Sequence, residues 1–557
     1  MSQASTTPSP SARSASTRSD ESIKETFESI AIAFILAFVF RAFVVEAFVI
    51  PTGSMAPTLL GAHLRVSCEQ CGHEYSTDVP HTDAASDNGD YYVPAQLTTA
   101  TTVICPMCRN PNRLPAGTRT SSGDRILVQK YVYSIRGPRR WDVAVFRNPQ
   151  KPEQNYIKRL VGLPSEALLL FDGNIHVTPL DGDRTPVHGQ WRIARKGSRP
   201  DVQRELWQPM YHSQYIPLDG GRPGVRARGG EHKWQVPWEA QGPTRMDWQI
   251  ENRRSYRYEN HRPGEIAFDF RHSGDHRVAG LYPYNQHRAG WLVEEPVEDV
   301  RLAASFEPDQ AGLRVTMTTT ARLHDEQHRD VTVGAERLIA TLDEDGQLVL
   351  TAADLDTGEP RAELARVQVA PLAAGQTTRV ELWFVDQEAI VWIDGRDVLR
   401  RRFDPDMAVL RERPAPLPRP TVLGIEVAGT PVTLHQVELD RDLYYSDRQN
   451  GVQARGSLMR SGDELEGEPL VLREDEFFPV GDNGPHSADG RYWRQVNHWI
   501  EERFFLGRLA EGEDPAGLVP RELLMGRAFF VYFPAPYPWQ AGGRQVIPNF
   551  GDMRFIR

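Results

Sequence analysis

Residues 30–59 read IAIAFILAFVFRAFVVEAFVI and then PTGSMAPTL, and this junction organises the rest of the chain. Ile30–Phe40 is an unbroken apolar run, followed by Arg41, the apolar Ala42–Val45, Glu46 and Ala47–Ile50. As a helix, Ile30–Ile50 would span roughly 31 Å, about one hydrocarbon core, with Arg41 close enough to one end to reach the interface. A cleaved signal peptide fits poorly. Glu21, Glu25 and Glu28 precede the run, and Phe48-Val49-Ile50-Pro51 offers no small-residue cleavage site. The sequence therefore predicts a transmembrane anchor over 23–50, with a buried core helix as the plainer alternative. Arg13, Arg18 and Lys24 favour a cytoplasmic N-terminus. Directly after the run, Pro51 and Pro57 restrict the backbone and Gly53 permits close approach of another segment. Ser54 is thus held in a rigid turn suited to a nucleophile, though Ser beside Gly and Pro is commonly just a turn residue.

The remainder is a soluble-type sequence. Its 557 residues carry 64 basic and 75 acidic side chains, a formal charge of −11. Mean hydropathy is −0.49, which excludes a polytopic membrane protein but not one span. The acidic balance argues against a nucleic-acid partner. Four Cys exclude a disulfide scaffold. Residues 1–22, rich in Ser and Thr, read as a disordered tail. Over 123–178 the pattern alternates as in strands, and Asp172-Gly173-Asn174 reads as a hairpin turn. Residues 179–295 show little periodicity and read as a loop-rich insertion around short strands. Residues 296–445 hold short strands separated by turns such as Asp356-Thr357-Gly358 and Asp394-Gly395, the pattern of a β-sandwich. The fold class expected is mainly β.

Two further segments carry chemistry. Lys158 lies among apolar neighbours in Asn155–Pro164. Desolvation lowers a Lys pKa, and a Lys so placed could take a proton from Ser54. The plainer reading is a strand Lys whose head reaches water. Phe477–Trp493 is a turn dense in hydrogen-bonding groups, including Asp482, Ser487, Asp489 and Arg491.

In order, these segments resemble the boxes of the type I signal peptidases, membrane-bound Ser/Lys proteases. Asp124–Lys130 and Trp141–Arg147 match two more family segments, and the preceding apolar run matches the family's anchor. The resemblance covers 23–61, 121–178 and 463–533. It implies a β catalytic core after one transmembrane helix, formed by 51–61 with 121–178 and by 446–557. It implies Ser54 as nucleophile and Lys158 as general base, with the Ser54 N–H and the Thr52 hydroxyl as oxyanion hole. Ser487 would orient the Lys amine; Asp482, Asp489, Arg491 and Arg159 would form a supporting ion-pair network. Phe48, Ile50, Met55, Tyr156 and Ile157 would wall small S1 and S3 pockets for a peptide bound by strand addition. Gly484-Pro485-His486 departs from the family's more polar stretch, and Ser165 stands where Gly is usual. The implied partners are preprotein signal peptides and the lipid bilayer. The implied place is the cell (inner) membrane, single-pass, with the catalytic part extracytoplasmic. Ser/Lys chemistry needs no catalytic cofactor.

Cys68-Glu69-Gln70-Cys71 and Cys105-Pro106-Met107-Cys108 are two CxxC knuckles, the ligand set of a structural Zn²⁺ in a zinc-ribbon-like insertion over 62–120. Two disulfides are the rival. The β module resembles concanavalin-like (lectin-type) sandwiches through Val380–Val385 and Ile390–Arg396, with an unknown ligand. The alternative function is an anchored binding protein whose sandwich works and whose peptidase core is inactive.

Overall fold

The computed structural model describes residues 16–80, 94–187, 189–218, 223–225, 231–233, 235–251, 253–270, 278–287, 292–323, 334–403, 421–449, 452–461, 464–506, 514–538 and 546–557. It is mainly β. Of the tail expected over 1–22, residues 1–15 lie outside the described residues and 16–22 belong to a helix, Ser16–Phe43. Apolar side chains such as Phe27 and Leu36 stand exposed on that helix. Among the described residues, no helix is long and apolar enough to cross a membrane.

The expected helix over Ile30–Ile50 is corrected at its C-terminal end. Val45–Val49 is a strand, paired antiparallel with Arg125–Gln129 from Val45↔Gln129 to Val49↔Arg125. β-Branched residues favour the pleated state. Pro51 further disfavours a helical Ile50.

That strand forms one edge of an eight-stranded antiparallel sheet. The order runs Val45–Val49, Arg125–Gln129, Leu524–Phe533, Val143–Arg147, Asn155–Gly162, Glu476–Val480 and Val519–Pro520, with Arg554–Phe555 also on Leu524–Phe533. Strands from the two ends of the chain are thus interleaved in one sheet. A second, four-stranded sheet holds Arg192–Ile193, Asn174–Pro179, Glu166–Phe171 and Leu470–Leu472. Its hairpin turns at Asp172 and Gly173, both with positive φ (49° and 76°), the geometry that the Asp-Gly pair favours. Leu160, Leu168, Ile175, Val202, Leu472 and Phe478 lie in one core that joins the two sheets.

Residues between these parts build two larger sheets. One runs Trp248–Gln249, Tyr256–Tyr258, Val432–Arg441, Val300–Pro308, Thr378–Val385, Glu388–Ile393 and Arg396–Arg402, with Gln208–His212 beside Val432–Arg441. The other runs Trp238–Gln241, Gly264–Phe268, Leu423–Ala428, Arg314–Leu323, Gly334–Leu342, Gln347–Asp354 and Pro360–Gln368. Leu302, Leu382 and Val391 from the first meet Val315, Leu350 and Ile425 from the second in a shared core. A boundary at 295/296 is corrected by this topology, because Gln208–His212 and four strands between Trp238 and Phe268 pair into these sheets. The aromatic residues that obscured their periodicity are what they bury: Tyr256 and Tyr258 are fully enclosed. The strand expected at Val331–Val333 lies outside the described residues.

Candidate active site and cysteine cluster

Ser54 sits in a single 3-10 turn, Gly53–Met55, preceded by an extended Thr52. Met55 and Leu59 anchor the turn in a core with Ile50, Ile126 and Val145. Lys158 reaches the turn from the Asn155–Gly162 strand. Its Nζ lies 2.6 Å from Ser54 Oγ and 3.0 Å from the Ile157 carbonyl. The side chain is only 3% exposed. Burial lowers its pKa from 10.5 to about 8; the charges of Asp489 and Asp482 oppose that fall and Arg491 adds to it.

The two carboxylates do not neutralise Lys158 because each is held by an arginine. Arg159 grips Asp482 through two bonds of 2.8 and 2.7 Å, and Thr58 Oγ1 donates to the same carboxylate at 2.6 Å. Arg491 grips Asp489 at 2.9 and 2.8 Å, and Asp489 also accepts the Gly481 N–H at 2.8 Å. All four charged side chains are fully buried. At Gly481 a Cβ would collide with Ser487 Oγ and the Ser54 carbonyl, so the absence of a side chain lets the two segments close.

Thr52 makes no side-chain capping bond to the turn. Phe48, Ile50, Met55 and Ile157 cluster together beside Ser54. Tyr156 packs against the neighbouring core, 6.2 Å from Trp493, with Lys158 Nζ 5.1 Å from its ring. Ser487 is brought close but differs from expectation. Its hydroxyl is buried with no hydrogen bond among the described residues, so the expected bond to the Lys158 amine is not formed.

Sequence reasoning missed three residues here. Asn483 donates to the Gly53 carbonyl at 2.9 Å, and its N–H donates to the Ser54 carbonyl at 3.1 Å. It stands inside the polar 477–493 stretch, so its amide was a legible candidate. Tyr284 and Asn285 also reach the turn, and no motif marks them.

The chain is similar to known proteins over part of its length. Residues 103–204 match the family model described as signal peptidase, peptidase S26. Signal peptidase I of Rickettsia typhi is 26% identical over 171 residues, 31% of this chain and 49% of that protein. Signal peptidase I of Pseudomonas aeruginosa is 41% identical over 73 residues, 10% of this chain and 26% of that protein. Over these parts the chain is similar to signal peptidases. It spans half or less of the length of these signal peptidase relatives. Among solved structures, a carbohydrate binding module from Bacillus subtilis aligns with 37% of this chain and 96% of that chain, at 10% identity and a TM-score of 0.22.

The four cysteines lie on two hairpins, Leu64–Ser67 with Glu74–Thr77 and Thr101–Ile104 with Pro111–Leu114. Each knuckle closes in the same way: Gly72 N–H donates to Cys68 O at 2.9 Å, and Arg109 N–H to Cys105 O at 3.0 Å. Gly72 and Arg109 both have positive φ. All four thiols are free and buried, and their sulfurs lie within 4.8 Å of one another. Cys68–Cys108 is 3.5 Å and Cys71–Cys105 3.6 Å. Zn–S bonds of about 2.3 Å put tetrahedral sulfurs roughly 3.8 Å apart, so the donor set and spacing fit Zn²⁺.

Proposed function

We propose that this chain is a membrane-anchored serine endopeptidase that removes N-terminal signal peptides from exported preproteins by a Ser54/Lys158 dyad. The observation that carries the reading is the 2.6 Å contact between Ser54 Oγ and a buried Lys158 Nζ whose nearby carboxylates are each held by an arginine. Neutral Lys158 accepts the Ser54 proton as Oγ attacks the scissile carbonyl, and returns it to the leaving amine. Water, deprotonated by the same amine, then hydrolyses the acyl-enzyme. The Ser54 N–H and Thr52 hydroxyl hold the developing oxyanion. Phe48, Ile50, Met55 and Ile157 admit small P1 and P3 residues, with Tyr156 bordering that wall. The Arg159–Asp482 and Arg491–Asp489 pairs fix the Lys158 environment.

The Val45–Val49 strand, which ends its sheet among the described residues, offers a place for strand addition. The exposed apolar helix before it supports an anchor in the cell (inner) membrane, with the catalytic part extracytoplasmic. Residues 51–61, 121–178 and 446–557 form the peptidase core. Cys68, Cys71, Cys105 and Cys108 hold a structural Zn²⁺, which supplies cross-linking and no step of the reaction. Purified chain should contain about one Zn per molecule; metal-free protein with two disulfides would refute the site.

The deciding experiment is cleavage of a preprotein with an Ala-X-Ala site, with Lys158→Ala alongside. Cleavage by the parent chain and none by the folded variant is expected. An inert parent chain, or an active variant, overturns the reading.

A further inference from the structure

The turn Tyr282–Asn285 belongs to none of the peptidase segments, yet it packs against the nucleophile. A Cβ on Gly53 would collide with the Tyr284 ring, and Tyr284 OH donates to the Ala62 carbonyl at 3.2 Å. Asn285 is fully buried and exchanges two hydrogen bonds of 2.8 Å with Asn483, amide to amide. Asn483 in turn holds Gly53 O and Ser54 O. The far side of the same turn is tied to the cysteine hairpins. Tyr284 O accepts the Asp78 N–H at 2.6 Å, and Gln286 pairs with the Ile104 backbone at 2.6 and 3.0 Å, next to Cys105.

We propose that Asn285 is a positioning residue for Ser54, acting through Asn483, and that Gln286 anchors it to the cysteine hairpin. Asn483 has one side-chain amide for two tasks: its Nδ2 serves both Gly53 O and Asn285 Oδ1, and its Oδ1 accepts from Asn285. With Oδ1 engaged, the amide is fixed with Nδ2 toward the Ser54 turn. Without Asn285 the amide is free to rotate, and the turn loses its outer clamp. A misplacement of about 1 Å can cost on the order of a hundredfold in rate.

The inference rests on the peptidase reading for its kinetic arm only. Asn285→Ala should lower kcat on a preprotein by about tenfold to a hundredfold with KM and thermal midpoint little changed. Asn285→Gln should recover part of the loss. Asn285→Ala combined with Asn483→Ala should be no slower than Asn483→Ala alone, because both break one connection. Gln286→Ala should show the same pattern more weakly, and it replaces Asn285→Ala if that variant does not fold. Independently of activity, hydrogen exchange of the Pro51–Leu59 segment should quicken in Asn285→Ala. Unchanged kcat, additive losses in the double variant, or unchanged exchange in that segment overturns the proposal. An inert parent chain with quickened exchange leaves Asn285 as positioning the turn and refutes the peptidase reading instead.

Discussion

Lys158 and Lys196 are both buried lysines, 3% and 1% exposed, yet their surroundings push them in opposite directions. Lys158 faces a hydroxyl and a carbonyl, and the nearby carboxylates are spent on arginines, so burial lowers it to about 8. Lys196 sits directly on Asp386 and at 3.0 Å from Asp442, with Asp299 adjoining. Those charges outweigh burial and raise its pKa. Lys196 thereby ties the segment before the Pro200–Leu206 helix to one of the larger sheets, where Asp386 and Asp442 follow the strands Thr378–Val385 and Val432–Arg441. Burial alone does not make a lysine a base; the pairing of its neighbours decides.

The largest test of this contrast removes the dyad. Ser54→Ala and Lys158→Ala should each abolish preprotein cleavage while the fold persists, whereas Lys196→Met should leave the pH dependence of kcat intact. Stability should show the reverse. Lys196→Met strands buried carboxylates and should cost about 3–5 kcal/mol in urea unfolding. Lys158→Met should stabilise the chain at pH 7 by up to about 3 kcal/mol. The sign follows from linkage. With the folded pKa at about 8 and the unfolded one at 10.5, the penalty is full below about 8. It fades as pH rises to 10.5, and the gain should fade with it. An equal loss of stability in both variants would break the comparison.

Smaller effects test the site's edges. Thr52→Val should lower kcat by about 10²–10³ if its hydroxyl is an oxyanion donor, and Thr52→Ser should restore it. Smallest of all is a shift in pH profile. The parent's kcat/KM should rise with pH around 8, as Lys158 loses its proton. In Asp489→Asn, which removes a charge that raises Lys158, this limb should move to lower pH in rate–pH measurements.

Much of the site was legible because its chemistry is carried by short runs. Ser54 lies between Pro51 and Pro57, Lys158 in an apolar strand, and Asp482, Ser487, Asp489 and Arg491 within one stretch. Asp172-Gly173 announced its hairpin because only αL-tolerant residues fit that turn. Val45–Val49 did not read as a strand, because an apolar run has no period to separate helix from sheet. Strands such as Tyr256–Tyr258 were hidden because three residues are too few to show a period, and the strand that holds them in the sheet, Val432–Arg441, is distant in sequence. Asn285 carries no local signal at all; its meaning comes from Asn483, 198 residues away.

By itself, the sequence determined the local chemistry: the rigid serine turn, the two cysteine knuckles and the mainly β character. Those depend on residue type and short spacing. The tertiary structure alone decided which charges meet. It gave Asp482 and Asp489 to arginines, left Lys158 with Ser54, and gave Lys196 its carboxylates. Electrostatic character falls off over a few ångströms, and only the fold sets those distances.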